Sequence, residues 1–361
     1  MATQPQTSIR PVREEKLNAL LGQAVQDMGA SLQAALIVIG DRLGLYRAMA
    51  DGNPVTAAEL AKRTGTGERY VQEWLNANAA GNYVQYHPES NTYSLSPEQA
   101  FVLALDNTPV HLPGFYHMLA SAMKDEEKLT EAFRAGKGFG WHQHEKGLFE
   151  GCERFFRPGY LANLTTNWIP ALEGVEQKLK AGAKVADIGC GHGASTILMA
   201  QAYPKSRFFG FDYHGASIEQ ARRRAAEAGV ADRITFEVAP AKSFPGTGYD
   251  FVAFFDCLHD MGDPAGAAKH VREALAPDGV WMIVEPFAGD DVSSNLNPIG
   301  RIYYSASTLF CVPASLAQEV GLGLGAQAGE ARIRQIVSSA GFSRFRRATE
   351  THFNLVFEAR P

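Results

Sequence analysis

The chain has 361 residues, with 34 Lys and Arg against 39 Asp and Glu, a formal charge of −5. At 45% hydrophobic and 20% charged residues it has the make-up of a folded chain able to bury a full core, and its mild acidity argues against a protein that works mainly by neutralising phosphates. Four scattered cysteines, Cys152, Cys190, Cys257 and Cys311, form no CxxC pair, which excludes a disulfide framework and a cysteine zinc site.

The first residues carry no basic head before an apolar core, and the longest apolar run, 34–39, falls far short of a membrane span. The expectation is a cytoplasmic protein without membrane partners. Residues 1–10 read as a disordered tail. From 13 to 105 the pattern predicts a helix, a helix-turn-helix and a polar hairpin. Thr56 is placed to cap AAELAKRTG and Gly65 to end it, while ERYVQEWLNANAAG sets Val71, Trp74 and Leu75 at helical spacing before Gly81. Tyr83 to Tyr86 and Thr92 to Leu95 then flank HPESN as two short strands. This is a winged-helix outline. Residues 1–110 hold 8 Lys and Arg against 11 Asp and Glu, and the would-be recognition helix carries Glu68 and Glu73 against Arg69 alone. DNA readers need a basic face, so a packing or dimerisation module is favoured over nucleic-acid binding, helped by the apolar helix around AALIVIG.

Residues 111–180 form a helical connector rich in aromatics. Trp141, Phe155, Phe156 and Tyr160 are either core or, with Tyr303 and Tyr304, the wall of an apolar acceptor pocket. Arg157 and Tyr160 are placed to fold over a cofactor. His142 and His144 have poor ligand spacing, and no metal site is expected. From 181 to 361, strands KVADIG, RFFGFD, ITFEVA, YDFVAFFD and GVWMIVE alternate with helices, which predicts an α/β doubly wound, Rossmann-like sheet covered on both faces. Arg222, Arg223 and Arg224 read as a solvated helix face. Residues 287–329 form a long excursion that roofs a cleft, and a helix ending at Gly341 precedes a terminal strand pair.

The first strand of that region runs into Asp187-Ile188-Gly189-Cys190-Gly191-His192-Gly193, and the second ends at Asp212, 21 residues beyond Gly191. Glycines let a ligand lie on bare main chain at a helix N-terminus, and the acid can accept from both hydroxyls of a ribose. An adenosine-type ligand follows. Gly189, Gly191 and Ala194 also fit the GxGxxA of a nicotinamide oxidoreductase. However, Asp187 would repel a pyrophosphate and suits the ammonium of an amino-acid tail.

DIGCGHG followed by FFGFD resembles the S-adenosylmethionine-binding half of the class I methyltransferases. The resemblance implies Asp187, Gly189, Cys190 and Gly191 around the aminocarboxypropyl tail, Asp212 on the ribose with Tyr213 beside it, and Ala241 and Lys242 near the adenine, where an acid is more usual. Asp256, at the end of the fourth strand, joins the cofactor-binding set. The run Leu258-His259-Asp260-Met261 and the strand end at Glu285 resemble the plant-type small-molecule O-methyltransferases, which share the N-terminal winged-helix module. Met261 stands where their motif has tryptophan. In this likeness His259 is the base and Glu285 orients it. Methyl transfer needs alignment and, for a hydroxyl acceptor, removal of a proton; a histidine titrates close to working pH. The alternative is that His259, with Asp260 and Asp263, caps the next helix. Three other functions stay open: N- or C-methylation by positioning alone, a cofactor-sensing DNA-binding regulator, and an oxidoreductase.

Overall fold

The computed structural model describes residues 11–106 and 108–361, so the tail expected at 1–10 lies outside the described residues. The chain divides into two compact units between residues 106 and 107, close to the boundary expected at 110.

The first unit runs α1 (Glu14–Arg42), α2 (Ala57–Thr64), α3 (Glu68–Ala80), β1 (Gln85–His87), β2 (Thr92–Ser94) and α4 (Pro97–Leu103). Thr56 closes a capping box with Glu59, and Gly65 ends α2 in the left-handed conformation, as the residue types demand. The strands pair antiparallel, Gln85 opposite Ser94; the first lies two residues later than expected. Only the end of α1 is buried. Ala34, Ile37 and Val38 are covered, and a Cβ on Gly40 would fall 2.5 Å from the Trp74 ring. Within AALIVIG, Ala34, Ile37, Val38 and Gly40 are therefore inner packing, while Ala35 and Ile39 stay exposed. On α3, Arg69 pairs with Glu73, which leaves the would-be recognition helix without a free cation on that side.

The second unit opens with α5 (Pro113–Lys124), α6 (Glu126–Ala135), α7 (Gly147–Asn163) and α8 (Val175–Ala181). It continues with β3 (Lys184–Ile188), α9 (Ala194–Ala202), β4 (Arg207–Asp212), α10 (Gly215–Glu227), β5 (Ile234–Val238), β6 (Tyr249–Phe255), α11 (Pro264–Ala274) and β7 (Leu275–Pro286). It closes with α12 (Pro298–Ala306), α13 (Val312–Leu316), α14 (Gly329–Ser339), β8 (Arg344–Glu350) and β9 (Asn354–Arg360). The sheet order is β5-β4-β3-β6-β7-β9-β8. Strands β3 to β7 pair in parallel, while β9 runs antiparallel to both β7 and β8. An all-parallel dinucleotide fold would end with another crossover; here a hairpin ends the sheet, as the terminal strand pair predicts.

Successive strand residues point to opposite faces. Val185, Phe251 and Val280 face a core with Leu179, Met199 and Ile218 from α8, α9 and α10. Ala186, Val252 and Trp281 face another with Val271 and Val337 from α11 and α14. Burial on both sides is why these strands are continuous apolar runs.

Gly210 in β4 shows how tightly the sheet supports the glycine loop. A Cβ there would lie 2.4 Å from the Phe236 ring and 3.1 Å from Cys190 Sγ. Gly210→Ala is expected to destabilise the protein by about 1–3 kcal/mol, the range for an overpacked core, and to loosen the loop at Cys190. A thermal melt with an unchanged midpoint would show that the strand gives way freely.

Candidate active site

The strand ends carry the chemistry. After β3 the chain turns through Gly189, Gly191 and Gly193, all at positive φ, a region costly for other residues. Gly189 and Cys190 donate to the Phe211 carbonyl, at 2.8 and 3.1 Å. Gly191 donates to Asp212 Oδ2 at 3.0 Å, and His214 N–H donates to Asp212 Oδ1 at 2.8 Å. Asp212 thus fixes the loop and keeps lone pairs for a ligand. A Cβ on Gly191 would meet nothing within 4 Å, whereas one on Gly189 would fall 2.9 Å from Cys257 Sγ.

Asp187 lies beneath this loop. Its Oδ2 accepts from Ser195 Oγ and Thr196 Oγ1, at 2.7 and 2.6 Å, anchoring the first turn of α9. Its Oδ1 is buried without a partner. Burial pushes the carboxyl up to about 6, against the pull of the two hydroxyls. Over the loop, Phe149 of α7 stacks on His214 with centroids 4.5 Å apart and faces His192 at 6.4 Å. Burial drives His192 down to about 4, so it is neutral at working pH.

At the other end of the cavity, a 3-10 turn (Leu258–Asp260) follows β6. Glu285, from β7, accepts the Leu258 N–H at 3.1 Å and lies 2.6 Å from His259 Nδ1. That fixes the ring and its tautomer. The second ring nitrogen, Nε2, lies 3.2 Å from Asp260 Oδ1, and Cys311 Sγ joins these two atoms within 4.8 Å. Burial alone would push the imidazole down; the Glu285 and Asp260 carboxylates outweigh it and hold His259 well above 6.5. The cap of α11 is Asp263, whose Oδ1 accepts from Gly266 N–H at 2.8 Å. His259 is not a cap.

Both ends open into one cavity of about 520 Å3. Gly189, Cys190, Gly191, Asp212, Tyr213, Ala241, Lys242, Asp256 and His259 all line it; Asp187 and Glu285 stand behind the wall. Asp187 therefore acts from under the loop and not on the cavity surface. Lys242 is paired with Glu319. Trp141, Phe155, Phe156 and Tyr160 belong to the wall, with Tyr303 and Met261. Tyr304 and Arg157 do not reach it, contrary to expectation. All three arginines are engaged: Arg222 donates to the Phe236 carbonyl, Arg223 to Gln220 Oε1, and Arg224 pairs with Glu153 of α7. His144 is buried 3.1 Å from Asp125 while His142 is exposed, so the two do not converge. The sequence did not point to Phe149, His192, His214, Cys152 or Phe310, all of which line the cavity.

A nucleoside with an amino-acid tail fits what is present. The glycine loop leaves open space where a side chain would stand, Asp212 is held at its edge, and an unpartnered carboxylate oxygen lies below. Residues 179–311 match the family model of a methyltransferase domain, and residues 31–105 that of an Rv2258c-like winged HTH domain. The chain has the class I methyltransferase fold. The chain shares its architecture with mitomycin 7-O-methyltransferase MmcR (TM-score 0.66, 19% identity, covering 96% of this chain and 100% of that one). It also resembles human N-acetylserotonin methyltransferase bound to S-adenosylmethionine (TM-score 0.70, 15% identity, 97% and 99%). Among curated sequences, the 27-O-demethylrifamycin SV methyltransferase of Amycolatopsis mediterranei is 34% identical over 121 residues, 33% of this chain and 44% of that protein. The Ubiquinone biosynthesis O-methyltransferase of Pseudomonas aeruginosa is 34% identical over 131 residues, 35% and 53%. The chain thus spans about half or less of the length of these relatives. Among the described residues no helix is long and apolar enough to cross a membrane.

Proposed function

We propose that this methyltransferase uses S-adenosylmethionine to methylate a small aromatic acceptor at oxygen, with His259 as the base. One observation carries this: the His259–Glu285 pair opens into the same cavity as the glycine loop and Asp212. When bound, the cofactor supplies an electrophilic methyl group. Gly189, Cys190 and Gly191 offer main chain to its tail, Asp187 backs the loop, and Asp212 accepts from the ribose with Tyr213 alongside. Ala241 and Lys242 flank the adenine. His259 takes the acceptor's proton on Nε2, sharing that side of the ring with Asp260, while Glu285 holds Nδ1 and stabilises the cation formed. The apolar wall excludes water and orients the ring. The test is S-adenosylhomocysteine release from the purified protein supplied with a panel of phenols, naphthols, matched arylamines and matched carbon acceptors. Turnover of amines or carbon acceptors alone would reassign the reaction to positioning without a base.

The winged-helix unit serves as a homodimer interface in this proposal. Leu17, Leu20, Leu21, Val25, Met28 and Leu32 on α1 are all exposed, an apolar stripe at helical spacing that one unit leaves uncovered. Light scattering is expected to give twice the chain mass for the wild type and a monomer for Leu20→Glu combined with Val25→Glu. A wild-type monomer at micromolar concentration would rule this out.

A further inference from the structure

Asp256 is the least settled charge in the cavity. Its backbone takes a left-handed conformation (φ +47°), which outside glycine is found mostly at Asn, Asp and His. The main chain is pinned there by the Asp256 N–H, which donates to the Val284 carbonyl at 2.8 Å. Asn354 Nδ2 donates to Oδ1 at 2.9 Å and fixes the carboxyl plane. Oδ2 is then left buried with no hydrogen-bond partner in a residue that lines the cavity, and Tyr160 turns its hydroxyl toward the group. A buried polar atom without a partner carries a desolvation cost and needs an explanation.

The electrostatic neighbours of Asp256 are Glu285, His259 and Asp260, with the phenols of Tyr160 and Tyr303. They belong to the His259 end of the cavity and not to the glycine loop. That chamber holds three carboxylates against one histidine. Lys242 is the one Lys or Arg among the described lining residues, and Glu319 already neutralises it. Burial accordingly pushes Asp256 up to about 8. A carboxylate or phosphate on the acceptor would find no partner here. A cation would satisfy the free oxygen and the charge together.

We infer that Asp256 is a specificity residue for the acceptor, recognising a protonated amine on an aromatic molecule through Oδ2. This rests on the proposed methyl transfer and names the acceptor class: an aromatic hydroxyl compound that also carries an alkylammonium group. The free carboxyl ionises as the ammonium docks, replacing a stranded oxygen with a charge-assisted hydrogen bond.

The test is calorimetry on the full chain saturated with S-adenosylhomocysteine, using three probes of one shape: 2-naphthylmethylamine, 2-naphthylmethanol and 2-naphthoate. The amine is expected to bind at least about tenfold tighter than the alcohol, the range of a hydrogen bond to a charged group, and the acid not to bind. Asp256→Asn, which keeps the shape, is expected to bring the amine down to the alcohol while S-adenosylmethionine and S-adenosylhomocysteine affinities stay within about twofold. Amine binding no tighter than the alcohol, no binding of any probe, or an amine preference that survives in the variant would each overturn the inference. So would a large loss of S-adenosylmethionine affinity, which would return Asp256 to the cofactor. Failure of the wild type to bind S-adenosylhomocysteine at all would instead remove the proposed function.

Discussion

His259→Gln is expected to lower kcat about 10²- to 10⁴-fold, the usual contribution of a general base, while affinity for S-adenosylhomocysteine stays the same. Glutamine preserves the size of the side chain and can still bond to Glu285, so the loss isolates proton transfer. The pH profile supplies an independent check. The carboxylates of Glu285 and Asp260 hold the ring well above 6.5 against the effect of burial, and only the neutral ring accepts a proton. Wild-type kcat/KM therefore climbs as pH rises through that raised value and levels off above it. Asp260→Asn removes one of the charges that retain the proton, so the inflection moves to lower pH. Chelation by EDTA leaves turnover unchanged, because Asp260 itself is the ion-pair partner of Nε2. Turnover within twofold of wild type in His259→Gln, or an inflection moving upward in Asp260→Asn, would remove the base from the mechanism.

Asp212→Ala should weaken S-adenosylhomocysteine binding on the order of 100-fold or more. Two ribose hydroxyls lose a charged acceptor, each such bond being worth about 1.5–3 kcal/mol. The Gly191 and His214 amides lose theirs as well, so the loop that lies against the ligand slackens. Asp212→Asn retains one carbonyl acceptor and should fall between the two. Calorimetry gives the affinities, and circular dichroism melts separate lost binding from lost folding. Equal affinity in a folded Asp212→Ala protein would dismiss the ribose assignment.

The part of this site that could be read from the sequence sits where strands end. DIGCGHG, FFGFD and LHD are local: each places a turn, an acid or a ring within a few residues, and the alternating pattern around them dictates a parallel sheet that brings those ends together. Asp212 and Gly191 were legible for that reason. The acceptor wall was not. Phe149 and Phe310 sit on helices whose apolar spacing looks the same whether it faces a core or a cavity. Tyr303 and Tyr304 are neighbours about 100° apart around α12, so only one can face inward, and composition does not say which. Arg224 resembled a solvated charge because its partner, Glu153, lies 71 residues upstream. The close approach of Gly40 to Trp74 was hidden by the same kind of distance.

The sheet and the helical layers around it have separate duties. In the proposed reaction the groups assigned to the methyl donor and the proton follow β3, β4, β5, β6 and β7, strands held by the hydrogen-bonded ladder. The apolar wall that the proposal assigns to the acceptor comes from α5 and α7 before the sheet and from the 287–329 excursion after β7. Substitutions in those outer pieces can reshape what is admitted without moving the reacting atoms. A lineage with this scaffold can therefore diversify its menu of acceptors by drift in its helical walls alone.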